Sequence, residues 1–451
     1  MIKPLLAKGT RDFSSTEVLR RKFIADTIRN VFEKYGYQPI ETPTMENLST
    51  LEGKYGDEGD KLLFRVLNSG NAFDDVTADD LKNNSARSKV TKKGLRYDLT
   101  VPFARYVVMH QNEISFPFKR YQMQNVFRAD RPQRGRYREF MQCDADVVGS
   151  NSLLNEMELI RIYDEVFHLL NIPVAIKINN RKILSGMAAS IGAAEKFIDI
   201  TVAIDKLDKV GLQGVRQELN NKGITESQMQ VIEKFFTAEG SNEYKLNLIS
   251  TFLNGNEEGT KGISELSQVL NYINLSGKLQ SPLEIDFTLA RGLNYYTGAI
   301  IEVKPTTVQM GSVGGGGRYD DLTGMFGLKN VSGVGISFGL DRMYDVMNEL
   351  NLFQNISYNN TKVLITNFDS KAEQFALPIL QQLRNKNIAA EIFHQSDKLK
   401  KQLKYADDKQ IPFVILIGEN EMKENKVTLK NMRTGEQQLL SVEQVIEYLM
   451  K

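Results

Sequence analysis

The 451-residue sequence predicts a protein of the α+β class with an antiparallel sheet at its core. The first observation is that Phe118 to Arg128 and Arg138 to Val148 alternate polar and apolar residues around a turn that contains Pro132 and Gly135. Side chains of a strand point alternately to opposite faces, so each segment fits one strand of a long hairpin. The second observation is a strand of small residues, Val334 to Phe338, that runs directly into a helix. Antiparallel strands with helices to one side are typical of this class.

The first element should be a helix that begins after Ser14. Ser14 and Glu17 have the spacing of a capping box, and apolar residues then recur at helical spacing as far as Gly36, which suits the C-cap. A strand over Tyr37 to Pro43 should follow. The wide apolar stripe of the helix fits either a surface helix packed on the core or an interface with a second copy.

The middle of the chain predicts an exposed insertion and a helical insertion. Asn68 to Lys93 is rich in Asp, Asn, Ser and Lys, which favours an exposed segment. Order should return at Gly94 to Tyr106, and Pro173 to Asn179 has the pattern of a strand. From Arg181 to Lys278 the periodicity is helical, with polar breaks at glycines.

Alternation returns at Glu284 to Ala290, and we expect a hairpin at Gly292 to Gly298 to join this strand to Ala299 to Lys304. After a polar linker, strand and helix patterns alternate as β-α-β-α-β from Val363 to Ile417, which implies a small, mostly parallel sheet. A further strand and a final helix, Val442 to Met450, should complete this part.

Composition excludes several classes of protein. The formal net charge is +1, so any surface that binds nucleic acid must be local. Cys143 is the single cysteine, which rules out an internal disulfide and suits a reducing cytoplasm. One cysteine and three scattered histidines do not make a usual zinc site. The sequence begins without the apolar region of a signal peptide and lacks a run of eighteen apolar residues, so we expect no membrane partner.

The most informative stretch is Arg120 to Gly149. Six arginines fall in its first nineteen residues, and Gln142, Asp144 and Asp146 then share one face of the second strand. Arginine grips phosphate oxygens with its planar fork, so this pattern suggests a site for a polyphosphate and a cation. The alternative is a basic hairpin that is merely solvated, which the length of both strands argues against.

The same stretch resembles motif 2 of class II aminoacyl-tRNA synthetases, in the form found in histidyl-tRNA synthetases. LARGLNYYTG, Leu289 to Gly298, and GGGGRYDDL, Gly314 to Leu322, resemble the two histidine-specific signatures of that family. GVGISFGLDRM, Gly333 to Met343, resembles motif 3, and the segment from Ser14 to Pro43 resembles motif 1. The α/β module from Val363 to Met450 resembles, in its position and order of elements, the anticodon-binding domain of subclass IIa.

The resemblance implies a domain plan and an activity. The catalytic core would comprise residues 1–180 and 279–355, with a helical insertion domain at 181–278 and an anticodon-binding α/β domain at 361–451. L-histidine would be activated with ATP to histidyl-adenylate and then transferred to the 3′ end of tRNA-His. The family also implies a cytoplasmic homodimer that uses Mg²⁺ with ATP, without zinc and without an organic cofactor.

The resemblance assigns three arginines to catalysis. Arg128 would hold the α-phosphate and the carboxylate, and Arg342 would hold the γ-phosphate end of ATP. Arg291 would lie between the histidine carboxylate and the α-phosphate. Arg136 and Asp130 would also contact ATP, with Asp130 near the adenine.

The family implies these histidine-binding residues: Asp98, Thr100, Gln142, Asp146, Arg291, Tyr295, Tyr296 and Tyr319. Asp98, Thr100 and Gln142 would hold the ammonium group. Asp146 would accept a hydrogen bond from one imidazole nitrogen, and Tyr296 would pair with the other. Two positions depart from the common pattern, because Asp98 and Asp341 stand where other members carry Glu. Gln133 and Arg134 in the loop are candidate contacts to tRNA.

Three alternatives remain at this stage. The first is a regulatory subunit of an ATP phosphoribosyltransferase, which resembles histidyl-tRNA synthetases without sharing their chemistry. The presence of Arg128, Arg291 and Arg342 argues against it. The second is a synthetase of the same subclass for another amino acid, against which the RGLNYY segment counts. The third is a protein that only binds RNA, which would not need ATP-binding arginines.

Overall fold

The computed structural model describes residues 3–83, 85–290, 296–354 and 360–450. The chain forms two compact units. The first comprises Arg21–Phe353 with the first twelve residues, and the second comprises the rest of the chain from Gln354 together with Phe13–Arg20. None of the helices in the described ranges is long and apolar enough to cross a membrane.

The strands of the first unit are β1 Gln38–Pro39, β2 Met45–Asn47, β3 Arg65–Val66, β4 Lys93–Leu95, β5 Phe118–Phe127, β6 Glu139–Val148, β7 Val174–Asn180, β8 Leu283–Ile285, β9 Ala299–Pro305, β10 Gly314–Tyr319 and β11 Gly333–Gly339. Its helices are α2 Leu48–Leu51, α3 Gly56–Lys61, α4 Ala78–Lys82, α5 Ala86–Val90, α6 Thr100–Met109, α7 Leu154–Leu169, α8 Arg181–Ser190, α9 Phe197–Asp205, α10 Leu207–Asn221, α11 Glu226–Phe236, α12 Asn242–Phe252, α13 Glu257–Leu275 and α14 Leu340–Glu349, with 3₁₀ turns at Ala194–Lys196 and Thr323–Phe326. Helix α1, Ser15–Lys34, precedes them.

The main sheet has the strand order β1-β5-β6-β11-β10-β9-β7-β8. The two outermost pairs are parallel and all the pairs between them are antiparallel. This arrangement confirms the α+β class. The hairpin of β5 and β6 is also confirmed, with Phe118 opposite Val148 and Phe127 opposite Glu139.

The predicted hairpin between the strands near 284 and 299 is wrong. Strand β8 pairs in parallel with β7, while β9 pairs with the other edge of β7 and with β10. Strand β8 also ends early because Asp286 turns the chain: its Oδ1 accepts a hydrogen bond from the Thr288 amide at 2.9 Å. Residues 291–295 of the expected turn lie outside the described residues.

Helix α1 starts where its capping box predicts. The Ser14 amide donates to Glu17 Oε2 at 2.7 Å, and the Glu17 amide donates to Ser14 Oγ at 3.3 Å. The strand expected over 37–43 is shorter, Gln38–Pro39, although the Ile40 amide still donates to the Tyr121 carbonyl. The Thr42 amide then bonds the Gln124 side chain instead of a backbone carbonyl, so the ladder ends there.

The polar segment at 68–93 contains two short helices. Thr77 caps α4 in a capping box with Asp80, and Asp80 also accepts hydrogen bonds from Ser85 and Lys89. Most of its described side chains are exposed, as the composition predicted.

The helical stretch at 181–278 is confirmed as α8–α13. Helix α8 packs tightly against the start of α13. A Cβ added to Gly186 would lie 2.7 Å from the Gly259 Cα. Glycine is needed there because the two backbones touch.

The second unit is a five-stranded sheet of order β13-β12-β14-β15-β16. Its elements are β12 Val363–Ile365, α15 Ser370–Asn385, β13 Ala390–Ile392, α16 Leu399–Asp408, β14 Phe413–Leu416, α17 Glu419–Glu424, β15 Val427–Asn431, β16 Gln437–Leu440 and α18 Val442–Met450. Strands β13, β12 and β14 are parallel, as expected, but β15 and β16 are antiparallel. The sheet is therefore mixed: the short connection through α17 returns the chain antiparallel to β14, and a hairpin joins β15 to β16.

Candidate active site

A cavity of about 360 Å³ lies against the main sheet, a size within the usual range of small-molecule sites. Its wall includes the loop between β5 and β6, the start of α6, strands β9 and β10, and the junction of β11 with α14. Polar side chains from these elements converge on it, although they are far apart in the sequence.

The glycine-rich strand β10 forms the floor of the cavity. A Cβ added to Gly316 would lie 2.1 Å from the Gly335 carbonyl oxygen, and one added to Gly317 would lie 2.5 Å from the Ala299 carbonyl oxygen. Side chains are therefore excluded by the neighbouring strands, and the backbone itself can approach a ligand.

Arg128, at the end of β5, has a fixed guanidinium. Its Nε donates to the Tyr97 carbonyl at 3.0 Å, and its Nη2 donates to Gln142 Oε1 at 3.2 Å. The same group lies 4.3 Å from the centroid of the Tyr97 ring and 5.2 Å from that of Phe140. Arg128 is thus held in place before any ligand binds.

Arg342 and Arg136 add positive charge at the loop. Arg342 lies in the first turn of α14, where its Nε donates to the Gly135 carbonyl and its Nη1 to the Ser312 carbonyl, both at 2.7 Å. Arg136 is half-exposed and pairs through Nη2 with Asp130 Oδ1 at 2.9 Å. All three arginines line the cavity, which favours an anionic ligand at this end.

Acidic groups lie near the other side of Arg128. Asp98 and Asp144 line the cavity, and both are almost fully buried. Asp98 Oδ1 accepts hydrogen bonds from the Tyr55 hydroxyl at 2.9 Å and the Val101 amide at 3.3 Å. Burial raises the pKa of Asp98 to about 6 and that of Asp144 to about 7. A cationic ligand would favour the ionised form of both groups.

Asp146 is occupied by two protein partners. Its Oδ1 accepts a hydrogen bond from the Tyr319 hydroxyl at 2.6 Å, and its Oδ2 lies 2.7 Å from Arg120 Nη2. Burial raises the pKa of Asp146, while Arg120 opposes that shift. Arg120 is fully buried, with its guanidinium 4.2 Å from the Phe103 ring centroid. Asp146 and Tyr319 are not among the described residues that line the cavity.

The sequence matches the histidyl-tRNA synthetase family model over residues 87–343, which is more than half of the chain. The chain belongs to the histidyl-tRNA synthetase family. Residues 362–451 match the model of an anticodon-binding domain.

Individual relatives agree with this membership. The histidine–tRNA ligase of Phocaeicola vulgatus is 58% identical over 447 residues, covering 98% of each protein. That of Bacteroides fragilis strain YCH46 is 57% identical over 452 residues, covering 100% of this chain and 99% of the relative. The crystal structure of the histidyl-tRNA synthetase from Nostoc sp. PCC 7120 matches with a TM-score of 0.86 at 32% identity, covering 100% of this chain and 99% of that chain.

A further structure bears on the regulatory-subunit alternative. It is described as an ATP phosphoribosyltransferase regulatory subunit/histidyl-tRNA synthetase from Bacillus halodurans, and it matches at 18% identity with a TM-score of 0.72, covering 89% of this chain and 97% of that chain. Such a likeness shows a shared fold alone. The two histidine–tRNA ligases described above are far more similar in sequence to this chain than the Bacillus halodurans protein is.

The structure brings most of the expected site residues of this synthetase together. Those that line the cavity are Asp98, Thr100, Arg128, Asp130, Arg136, Gln142, Tyr296 and Arg342. Gln133 and Arg134 are exposed at the loop tip, where Arg134 pairs with Glu349. Arg291 and Tyr295 lie outside the described residues.

The ion pair between Arg120 and Asp146 was not predicted from the sequence. The predicted hairpin already contained the information, because Arg120 is directly opposite Asp146 in its register. Extending the hairpin pairing inward from its turn would have placed these two charges side by side.

Mg²⁺ is implied by the family. The carboxylates that line the cavity fit an ion that binds together with ATP. The described ranges contain no cluster of three acidic, cysteine or histidine side chains that could hold a metal alone. Magnesium bound to substrate phosphates needs one or two protein carboxylates. Asp341 and Glu302 both line the cavity. Asp341 is engaged by Arg11, Arg21 and the Met141 amide, and Glu302 by Ser312 and Lys304. Both carboxylates are therefore candidates.

Proposed function

We propose that this cavity joins the carboxylate of L-histidine to the α-phosphate of ATP. As a member of its family the chain is a histidine–tRNA ligase, which forms histidyl-adenylate and pyrophosphate and then transfers histidine to the 3′ end of tRNA-His. The observation that carries the site assignment is Arg128, whose guanidinium is fixed in a cavity that is also lined by Arg136, Arg342 and the buried carboxylate of Asp98.

Arg128 would act on the reacting groups. A carboxylate oxygen of histidine attacks the α-phosphorus, and the bond to the bridging oxygen of pyrophosphate breaks. Negative charge builds on the phosphoryl oxygens during this step, and a fixed guanidinium stabilises that charge without having to reorganise. Its contacts with Tyr97, Phe140 and Gln142 support this role.

Arg342 would bind the γ-phosphate end of ATP. Arg136 would also contact ATP, oriented by its ion pair with Asp130, which would lie near the adenine. The dipole at the start of α14 adds to the charge of Arg342. Glu302 or Asp341 would hold the Mg²⁺ that accompanies ATP, an ion that neutralises charge on the phosphates. On the family resemblance alone, Arg291 is proposed to act between the histidine carboxylate and the α-phosphate.

The acidic side of the cavity would bind the rest of histidine. Asp98, Thr100 and Gln142 are proposed to hold the ammonium group, supported by the buried carboxylate of Asp98. Tyr296 would contact the imidazole, with Tyr295 beside it. Asp146 and Tyr319 would complete the imidazole site, either directly or through the wall that they support.

The transfer step would use the remaining parts of the chain. We propose that residues 1–180 and 279–355 form the catalytic core, that the helices at 181–278 contact the acceptor arm of tRNA, and that 361–451 binds the anticodon. The match of 362–451 to an anticodon-binding domain supports the last assignment. Gln133 and Arg134 are candidates for contact with the acceptor end. The proposed substrates take part in protein synthesis, and this supports a cytoplasmic location for the protein.

The function is tested by ATP–pyrophosphate exchange with each of the twenty amino acids. Histidine alone should stimulate exchange, and the purified protein should then charge tRNA-His. Exchange with a different amino acid would overturn the substrate assignment. Absence of exchange with every amino acid would favour a regulatory protein that shares only the fold.

We expect the KM for histidine to rise about tenfold as the pH falls from about 7.5 to about 5. Asp98 must be ionised to attract the ammonium group, and its pKa is raised to about 6 by burial. The carboxylate is therefore charged above that pH and becomes neutral below it, so binding weakens on acidification. The measurement is the KM for histidine at a series of pH values.

Asp98→Asn is the control for this pH profile, because free histidine also titrates near pH 6.5, roughly. The variant should bind histidine weakly throughout and should lose the part of the pH dependence that Asp98 causes. An unchanged pH profile in Asp98→Asn would assign the titration to another group.

We also propose a homodimer formed through the motif 1 segment. Ile24, Ile28, Val31 and Phe32 of α1 are buried within the chain, but Phe23 remains 37% exposed. Light scattering at micromolar concentration should give about twice the chain mass of 51.1 kDa. A monomer with full exchange activity would show that the interface is not required.

A further inference from the structure

The N-terminal segment Ala7–Arg11 packs on the base of the loop between β5 and β6, residues 128–138. The Arg138 amide donates to the Gly9 carbonyl at 2.9 Å. Gly9 has a φ of +84°, and a Cβ at that position would lie 2.8 Å from Arg138 Cγ and 2.9 Å from Pro132 Cγ. The segment is thus pressed against both sides of the loop, and glycine is required for both its conformation and its contacts.

Arg11 extends this contact to the wall of the cavity. Its guanidinium lies 3.3 Å from the centroid of the Tyr137 ring, and it forms an ion pair with Asp341. Tyr137 and Asp341 both line the cavity, whereas Arg11 does not. Arg11 therefore touches two wall residues from behind, one in the loop and one in α14.

Asp341 joins three parts of the chain that are distant in sequence. Its side chain is 3% exposed and its Oδ1 lies 2.6 Å from Arg21 Nη1, in addition to the contact with Arg11. Its Oδ2 accepts a hydrogen bond from the Met141 amide of β6 at 2.9 Å. The carboxylate is thus a junction between the N-terminal region, the hairpin and α14.

This junction is adjacent to Arg342. Arg342 follows Asp341 in α14 and reaches the loop through the Gly135 carbonyl. The loop and α14 are also connected by the Tyr137 hydroxyl, which donates to Asp345 Oδ2 at 2.9 Å, and by the ion pair of Arg134 with Glu349. Arg11 is the contact that bears on both the Tyr137 ring and Asp341, at the start of α14, so its loss allows these two wall residues to shift beside Arg342.

We propose that Arg11 is a positioning residue for the ATP half of the active site, acting through Tyr137 and Asp341, and that Gly9 seats the segment that carries it. The inference rests on the proposed function, because it assigns ATP to the end of the cavity that Arg136 and Arg342 line. Histidine would bind at Asp98, Thr100 and Gln142. The nearest link from these residues to the junction is the bond of the Met141 amide to Asp341, which does not involve Arg11.

Arg11→Ala should raise the KM for ATP about five- to twenty-fold in histidine-dependent exchange, and kcat should fall by a similar factor. A stacked guanidinium and an ion pair together account for a change of this size. The KM for histidine should stay within about twofold of the wild-type value. Arg11→Lys keeps the charge beside Asp341 but lacks the planar group, so it should recover part of the ATP affinity.

Arg87→Ala is the control, because Arg87 is an exposed arginine on α5, does not line the cavity and lies outside the proposed dimer segment. It should behave as the wild-type protein. Gly9→Ala provides an independent test, since it displaces the segment without removing a charge. It should raise the KM for ATP and leave the KM for histidine unchanged, as Arg11→Ala does.

The proposal is tested by whether the KM for ATP rises while the KM for histidine does not. Equal increases for ATP and histidine in Arg11→Ala would mean general damage to the fold and would overturn the proposal. Wild-type kinetics in either Arg11→Ala or Gly9→Ala would overturn it as well. Failure of the wild-type protein to catalyse exchange with histidine would instead reject the proposed function. Should Arg11→Ala not fold, the same comparison in Gly9→Ala decides.

Discussion

Replacing Arg128 by alanine is expected to lower kcat for histidine-dependent pyrophosphate exchange by about 10²–10³-fold, the scale for one preorganised electrostatic donor. Arg128 is held by Tyr97, Phe140 and Gln142, so its charge is already in place when negative charge develops on the α-phosphate. The effect should fall mainly on kcat, because the guanidinium stabilises the transition state more than either bound substrate.

Two variants define the cause of that loss. Arg128→Lys keeps a positive charge but loses the fork and the stacking on Tyr97, so it should recover little of the rate. Gln142→Ala removes one hydrogen bond from Arg128 and one proposed contact to the ammonium group, so it should raise the KM for histidine and lower kcat far less than loss of the charge does. If Arg128→Ala changes only the KM for one substrate, Arg128 binds that substrate and does not stabilise the transition state.

Asp146→Asn is expected to destabilise the first unit by about 3–5 kcal/mol, because it leaves the buried charge of Arg120 without its partner. Arg120 is fully buried, and its Nη2 lies 2.7 Å from Asp146 Oδ2. Asparagine can still accept from the Tyr319 hydroxyl, so the loss comes mainly from the ion pair. Urea unfolding followed by circular dichroism measures the change, since the chain has no tryptophan.

Tyr319→Phe is the matched control for Asp146→Asn. It removes one hydrogen bond to the same carboxylate and keeps the ion pair, so it should cost about 1 kcal/mol. If Asp146→Asn is as stable as the wild-type protein and only the KM for histidine rises, Asp146 contacts the substrate directly, as the family resemblance implies. Loss of stability with a small change in that KM would assign Asp146 to the wall.

The parts of the fold that could be predicted from sequence are those set by local pattern. The hairpin of β5 and β6 agrees with its prediction to within one residue at each inner end, because alternation and turn residues specify both strands. The helical insertion is predicted equally well by its periodicity. The capping box at Ser14 fixed the start of α1 because its hydrogen bonds are local.

The parts that failed depend on partners distant in sequence. Strand β8 was expected beside β9 because they are neighbours in the chain, yet β7 lies between them. A short alternating segment gives no signal for the strand that it will pair with. The same limit hid the role of Asp341, whose partners Arg11 and Arg21 lie more than three hundred residues earlier.

Strand β10 has a consequence for the order of folding. A run of four glycines has few side-chain contacts to specify its register, and glycine loses more conformational entropy than any other residue when it becomes ordered. Its position is instead imposed by β9 and β11, which pair with it on both sides. We therefore infer that β10 is ordered after its two neighbours. The surface on which the substrates meet would be among the last parts of the main sheet to become ordered during folding.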